Sequence, residues 1–190
     1  MRFFQKLPLR YDPMMVNTQL ENNPGLWNAV TLRRDAPGSP HTQMSDIWVR
    51  FNDPSMLTEP GDFVGQPHIP VWYPAWAALP GLRPIVFGLM AAVEGEMLGG
   101  VLITRIPPGA GIDPHEDHGW HVDFYDKFYV HLQAPVGASF HCGDERIDPA
   151  EGDVYRFDNR REHWVVNHGK TDRVTLIVCI RTAMFRGPNA

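Results

Sequence analysis

A mainly β chain with helical elements toward its N-terminus is what this sequence predicts, and three observations predict it. Eighteen prolines and seventeen glycines in 190 residues interrupt the chain too often for a helical bundle. Beyond residue 100 the sequence breaks into short β-branched or aromatic runs separated by turn-forming stretches, the texture of a sandwich or barrel. Before residue 100, one segment carries clear helical spacing. A hydrophobic content of 43% with 21% charged residues suits a folded core rather than a disordered chain, and 190 residues make one domain of ordinary size.

Taken in order, residues 1–45 read as proline-interrupted loops around one strand, AVTLRR (29–34). IWVRF (47–51) is a strand, and NDPSMLTEPGD (52–62) is a turn region in which Asn52 or Asp53 supplies a cap. The best helix runs over residues 80–96, where Leu82, Ile85, Val86, Leu89, Met90 and Val93 recur at i, i+3, i+4 and i+7. Gly99 and Gly100 are expected to stop it. Six strands follow: VLITRI (101–106), KFYVHLQA (127–134), ASFHCG (138–143), DVYRFD (153–158), HWVVNH (163–168) and RVTLIVCIRT (173–182). The expected layout is a single domain over residues 1–190. A mixed N-terminal region (1–100) with one main helix packs on a β-rich core (101–182).

Composition narrows the function classes. The net charge is −5 and no Lys/Arg-rich run occurs, so there is no electrostatic footprint for nucleic acid. Cys142 and Cys179 form no CxxC motif and read as buried free thiols, not as a zinc site or a disulfide. The opening MRFFQKLPLRYDP does not read as a secretory leader. The longest apolar run, PIVFGLMAAV (84–93), is too short to span a bilayer. The expected location is cytoplasmic, without a membrane partner.

The histidines fall unevenly. Seven of nine lie between residues 115 and 168, inside the β-rich half. PHEDHGWHVDF (114–124) contains His115-Glu116-Asp117, and in extended chain residues i and i+2 point to one side, so an imidazole and a carboxylate can share a metal. A distant histidine would complete a two-histidine, one-carboxylate face that leaves three positions open. His163, at the start of a strand, is the candidate. Arg173 opens the buried run VTLIVCI, where an unpaired charge is costly unless a carboxylate meets it. The far carboxylate of a 2-oxo-acid would meet it bidentately.

The stretches ITRIPPGAGIDPHED, FYVHLQAP and GDVYRFDNRREHWVVNHGKTDRVTLIV resemble the aspartyl/asparaginyl β-hydroxylase family of Fe(II)- and 2-oxoglutarate-dependent oxygenases. The resemblance spans residues 101–182 and implies a double-stranded β-helix, a jelly-roll or cupin-like core. It implies His115 and His163 as iron ligands and His131 and Arg173 as 2-oxoglutarate contacts. Asp117 completes a facial triad that some members lack, with His118 or water as its alternatives. Where members acting on free amino acids tend to carry Arg, this chain has Tyr129, expected to donate a hydrogen bond to the co-substrate. HGWHVDFYDK is expected to form an extra loop at the pocket mouth.

Further readings concern the surroundings. Asp158 and Asn159 are expected to shape the turn before His163, and Asn167 and His168 to brace the His163 ring or form a plain turn. Trp120 and Trp164 are expected near the pocket, and Asp123 and Asp126 in solvent. Arg33, Arg34, His41 and Arg50 read as a solvated face, with contact to an anionic substrate as the alternative.

The activity these readings imply uses Fe(II), 2-oxoglutarate and O2 to hydroxylate a C–H of an amino acid or an Asp/Asn-type side chain, releasing succinate and CO2. The substrate is a small molecule or peptide. Two competitors stand beside it: a cupin-type metalloenzyme that does not use 2-oxoglutarate, and a non-enzymatic jelly-roll binding module. Neither the oligomeric state nor the individual substrate is encoded in these motifs.

Overall fold

The computed structural model describes residues 2–56 and 69–182. In chain order the elements are β1 (Phe4–Arg10), α1 (Met14–Asn22), α2 (Leu32–Asp35), β2 (Ser45–Asn52), β3 (Pro70–Trp72), α3 (Ala75–Ala78), α4 (Leu82–Ala92), β4 (Gly95–Ile106) and β5 (Gly111–His115). They continue as α5 (Trp120–Phe124), β6 (Asp126–Gln133), β7 (Ala138–Cys142), β8 (Glu145–Ile147), β9 (Asp153–Phe157), β10 (His163–Asn167) and β11 (Arg173–Thr182).

Two antiparallel sheets form the jelly-roll. The large one has the order β1-β9-β6-β11-β4-β2-β3 and the small one β5-β10-β7-β8. Strand alternation sorts their side chains onto two faces. On β11, Val174, Leu176, Val178 and Ile180 join Val16, Leu20, Leu79, Leu82, Ile85 and Leu89 in an apolar layer between the large sheet and the helices. Ile177 points the other way, with Trp48, Leu102, Tyr129 and Phe157, toward Ile112, Phe140 and Val165 of the small sheet. This second layer fills the space between the sheets, and the polar residues considered below are set into it.

The sequence expectations fail in informative places. AVTLRR is not a strand; Leu32–Asp35 forms one helical turn instead. FQKLPLR, unassigned in the sequence, is edge strand β1, pairing Phe4 with Phe157 and Lys6 with Tyr155. Its proline is tolerated because an edge strand leaves one row of amides unpaired. MMVNTQLEN forms α1 with only Val16 and Leu20 buried, too sparse a stripe for periodicity to reveal. The main helix ends at Ala92, not at residue 96, because β4 begins at Gly95 and pairs along the whole of β11 as far as Thr182. Glu94 makes the reversal in the left-handed region, at φ 51°. Gly99 and Gly100 therefore lie within β4. A Cβ on Gly99 would stand 2.8 Å from the Tyr125 ring, so this glycine serves a close approach rather than a helix stop.

Within the expected turn of residues 52–62, Asp53 accepts bonds from the Ser55 amide (2.9 Å) and hydroxyl (2.7 Å), while residues 57–62 fall outside the described residues. Cys142 is buried and Cys179 half-buried, and both are free thiols. No helix among the described residues is long and apolar enough to cross a membrane.

Gly152 ties three strands together. Its amide donates to the His131 carbonyl (2.7 Å) and its carbonyl accepts from the Tyr11 amide (3.0 Å). Its φ is +81° and a Cβ there would stand 2.3 Å from the Tyr11 carbonyl oxygen. Gly109 has a similar φ of +79° but open space around it. Gly109→Ala should therefore cost only the backbone strain, about 1 kcal/mol. Gly152→Ala should cost roughly 3 kcal/mol or more, since backbone must move as well. Urea denaturation of the two variants measures the difference; equal losses would contradict this account.

Candidate metal centre

Strand register brings the two histidines together. β10 lies between β5 and β7, and its first residue, His163, is directly opposite His115, the last residue of β5. Their ring centroids are 4.2 Å apart. Each Nδ1 meets the backbone carbonyl two residues earlier: His115 with Asp113 at 2.7 Å and His163 with Arg161 at 2.8 Å. A carbonyl only accepts, so each Nδ1 carries the proton and each Nε2 is left with its lone pair, as a metal ligand requires.

Asp117 is the third member. Its backbone amide donates to the Asn159 carbonyl (3.1 Å), and Asn159 Nδ2 donates to Asp117 Oδ2 (2.9 Å). Lys127 Nζ donates to the same Oδ2. The other oxygen, Oδ1, faces His115 Nε2 at 3.7 Å. Ligand atoms of His115, Asp117 and His163 all lie within 4.8 Å of one another, a group able to hold one metal ion.

The protonation states of the three groups suit metal ligation. Burial tends to raise the Asp117 carboxyl, but the Lys127 charge and the bonds from Lys127 and Asn159 outweigh it and hold it well below the usual range. Burial pushes His163 down to about 4 and lowers His115 as well. At neutral pH the three groups are thus one carboxylate and two neutral imidazoles, the protonation state that ligation needs.

A second polar set is built on β6 and β11. Thr175 pairs with His131, Ile177 with Tyr129 and Cys179 with Lys127, so one inward row runs from Arg173 past His131 and Tyr129 toward Lys127 and Asp117. Arg173 is 1% exposed, and its Nε and Nη2 have no hydrogen-bond partner among the described residues. Its neighbour Asp172 pairs instead with Arg105 at 3.8 Å. Burial lowers the guanidinium to about 10, a sign of how poorly its charge is compensated. His131 is fully buried, and neither its ring nitrogens nor the Thr175 hydroxyl have a hydrogen-bond partner among the described residues. His131 is pushed well down by burial and by Arg173. Tyr129 stacks on Phe140 at 5.1 Å and packs edge-on against Phe157.

The segment before β2 closes the open side. Asp113 donates its amide to the Pro40 carbonyl (3.2 Å), and the His41 ring stands edge-on to His115 at 5.0 Å. Arg33 Nη2 lies 3.5 Å from His41 Nδ1, and Arg33 Nε lies 3.4 Å from Asp46 Oδ2. Arg33 and His41 are therefore not part of a solvated face. Asp46 is buried, its Oδ1 lacks a hydrogen-bond partner among the described residues, and burial raises its carboxyl despite Arg33. Arg50 turns onto the Trp72 ring at 4.8 Å, and Arg34 pairs with Asp35 at 3.2 Å.

Other expectations are redistributed. Asp126 is not solvated: it accepts two bonds from Arg156 (3.1 and 3.0 Å) and one from Thr182 (2.6 Å). Asn167 braces the turn through the Ile106 and Thr171 carbonyls, both at 2.9 Å, and not the His163 ring. Trp164 stacks on His141 at 4.6 Å, one residue out of phase with His163 and so on the opposite face. The extra loop contains the short helix α5, with His121 half-buried and His118 exposed. Lys127 and Asn159 were missed. The signal for Lys127 was its parity with Tyr129 and His131; Asn159 looked like an ordinary turn residue.

Buried neutral imidazoles make the chelator-treated protein acid-sensitive. Unfolded histidines gain protons below about 6.5 while folded His163 resists protonation until about 4, so the unfolded state binds more protons in that interval. Stability should fall as pH drops through this window, by about 3 kcal/mol from His163 alone. Denaturation at stepped pH in EDTA measures it; a profile flat between pH 6.5 and 4.5 would contradict the burial assigned to this ring.

A family model described as aspartyl/asparaginyl beta-hydroxylase matches residues 77–182, more than half of the chain. No curated protein matches the sequence. Among solved structures, a 2OG-Fe(II) oxygenase family oxidoreductase from Burkholderia pseudomallei superposes with a TM-score of 0.57 at 17% identity, covering 95% of this chain and 84% of that one. A Pseudomonas putida prolyl-4-hydroxylase gives 0.55 at 15% identity, covering 97% and 93%. A Trichoplax adhaerens prolyl hydroxylase, in complex with a hypoxia inducible factor peptide fragment, gives 0.57 at 16%, covering 94% and 83%. At such identities the structural likeness establishes the fold, whereas the family match runs through every residue of the triad and of the polar row. On that match, the chain is a member of the aspartyl/asparaginyl beta-hydroxylase family.

Proposed function

We propose that this protein is an Fe(II)- and 2-oxoglutarate-dependent hydroxylase acting on an amino acid or an Asp/Asn-type side chain. The observation that carries the reading is Arg173: a buried guanidinium whose Nε and Nη2 have no hydrogen-bond partner among the described residues, in the same sheet interior as a His-Asp-His group. Burying such a charge unpaired is unfavourable by several kcal/mol unless a ligand supplies the anion. The family match and the fold shared with 2-oxoglutarate oxygenases support the same conclusion.

In this reading His115, Asp117 and His163 hold the iron through the two Nε2 atoms and Asp117 Oδ1. Arg173 pairs with the far carboxylate of 2-oxoglutarate, and Thr175, His131 and Tyr129 offer it hydrogen bonds. The chemistry such a centre supplies is oxidative decarboxylation of 2-oxoglutarate to succinate and CO2, coupled to insertion of one oxygen atom from O2 into a substrate C–H. The chain's own share is orientation and exclusion of water. The tied Nδ1 atoms hold both rings in the ligating tautomer. Phe140, Phe157 and Ile177, nearly all buried, keep the interior dry. Arg33, with Asp46 and its unpartnered Oδ1, offers a cation and an acceptor beside His41, which suits a substrate bearing both a carboxylate and an amino or amide N–H.

The direct test is an anaerobic titration of chelator-treated protein with Fe(II) and then 2-oxoglutarate. A weak visible charge-transfer band is expected in the wild type and is expected to vanish in His163→Ala. Fe(II) binding without a band would favour the cupin-type alternative, and no metal binding would favour a binding module.

Arg173→Met separates function from stability. Removing an uncompensated buried charge should leave the melting temperature unchanged or raise it, while the 2-oxoglutarate concentration needed for half-saturation rises roughly 100-fold. Unchanged 2-oxoglutarate affinity in this variant would remove Arg173 from the co-substrate site.

A further inference from the structure

Lys127 is not needed to complete the metal-binding triad, yet it is the group most intimately bound to it. Its side chain is 18% exposed and donates to Asp117 Oδ2, the oxygen that Asn159 Nδ2 also holds at 2.9 Å. Both donors therefore engage one carboxylate oxygen, and the other, Oδ1, is the one that faces His115 Nε2. Lys127 also lies on a rigid support. It is on β6 between β9 and β11, paired with Phe157 on one side and Cys179 on the other.

Two consequences follow from elementary electrostatics. Asp117 Oδ2 already accepts from Lys127 and Asn159, so Asp117 would offer a metal a single ligand atom, Oδ1. And an ammonium bonded to a metal-ligating carboxylate stands only a few ångströms from any cation held there. In a poorly screened interior that repulsion opposes the metal. The same ammonium stabilises the carboxylate before a metal arrives, when a buried Asp117 would otherwise be uncompensated.

We propose that Lys127 is a positioning residue and a resident counter-cation: it preforms the site in the apo-protein and makes Asp117 a one-oxygen ligand, at the expense of affinity for a divalent metal. This rests on the triad being a metal site, as in the function proposed above, but not on the use of 2-oxoglutarate.

The test compares wild type, Lys127→Met and Lys127→Arg, as full-length protein treated with chelator and then titrated with Mn(II) alone. Thermal melting and calorimetric titration are the readouts, and neither needs turnover. In Lys127→Met the apo-protein should melt lower by roughly 5 °C or more. Mn(II) should bind roughly tenfold or more tightly and raise the melting temperature by more than it does in wild type. Lys127→Arg, which keeps the charge, should restore wild-type values for both. If Lys127→Met folds only when Mn(II) is added, and Lys127→Arg folds without it, the counter-cation role stands.

A merely structural lysine predicts otherwise: apo and Mn(II)-loaded forms lose the same stability, and Mn(II) affinity is unchanged or weaker. Either result overturns the proposal. Wild type that binds no Mn(II) and no Fe(II) would remove the underlying metal-site reading itself. Mn(II) binding with a flat response to Lys127→Met would sink only the role given to Lys127.

Discussion

The candidate centre depends first on the register of one short strand. β10 is five residues long and is held on both sides, by β5 and by β7. That pairing sets His163 against His115 and points both imidazoles toward the interior. A slip of one residue would turn His163 outward and bring Trp164 in, because side chains alternate with a period of two. The backbone then orients the rings as well as placing them: the carbonyls of Asp113 and Arg161 accept from Nδ1 and leave both Nε2 atoms facing the same space. One set of backbone constraints thus yields position, tautomer and direction.

Around that anchor the interior is divided. Between helices and large sheet it is mostly apolar, with Asn17 donating to the Leu132 carbonyl at its margin, and burial of this layer contributes much of the fold's stability. Between the two sheets, charged and polar groups are embedded among aromatic rings. Arg173, His131 and Thr175 carry unsatisfied polar atoms, and Asp46 keeps a raised carboxyl. Groups of this kind lower the stability of the folded chain by themselves. Arg173, Thr175 and His131 lie in the row on β6 and β11 that leads to Asp117, and Asp46 stands apart on β2; under the function proposed above, the row would meet the co-substrate. Lys127 differs from them in having a carboxylate partner, Asp117, which is why its proposed role is toward that carboxylate and not toward an external anion.

The family-matched segment and the rest of the chain contribute differently. All residues of the triad and of the polar row fall within residues 77–182. Arg33, His41 and Asp46 lie before it, the first two on the segment that closes against β5 and Asp46 on β2. The His-Asp-His group and the polar groups beside it are therefore carried by separate stretches of sequence, brought together where β2 joins the large sheet beside β4 and where Asp113 donates to the Pro40 carbonyl.

Local pattern in the sequence was enough to reveal the β-rich half, its six principal strands, the amphipathic stripe of α4 and the HxD unit with His163 and Arg173. Each of these is a short-range signal: alternation, helical spacing, or a costly residue type in an apolar run. The edge strand β1, the sparse helix α1 and the extension of β4 back to Gly95 had no such signal, since each is stabilised by a partner more than eighty residues away. The same limit applied to the site. That Lys127 and Asn159 converge on one oxygen of Asp117, that Arg33 and Asp46 stand beside His41, and that Arg173 Nε and Nη2 have no hydrogen-bond partner among the described residues are consequences of strand pairing between distant segments. Sequence alone determined which residue types are present and their facing along each strand. Only the tertiary structure decided which of them share a space, because burial, and with it the cost of every unpaired charge, exists only once the sheets have closed on each other.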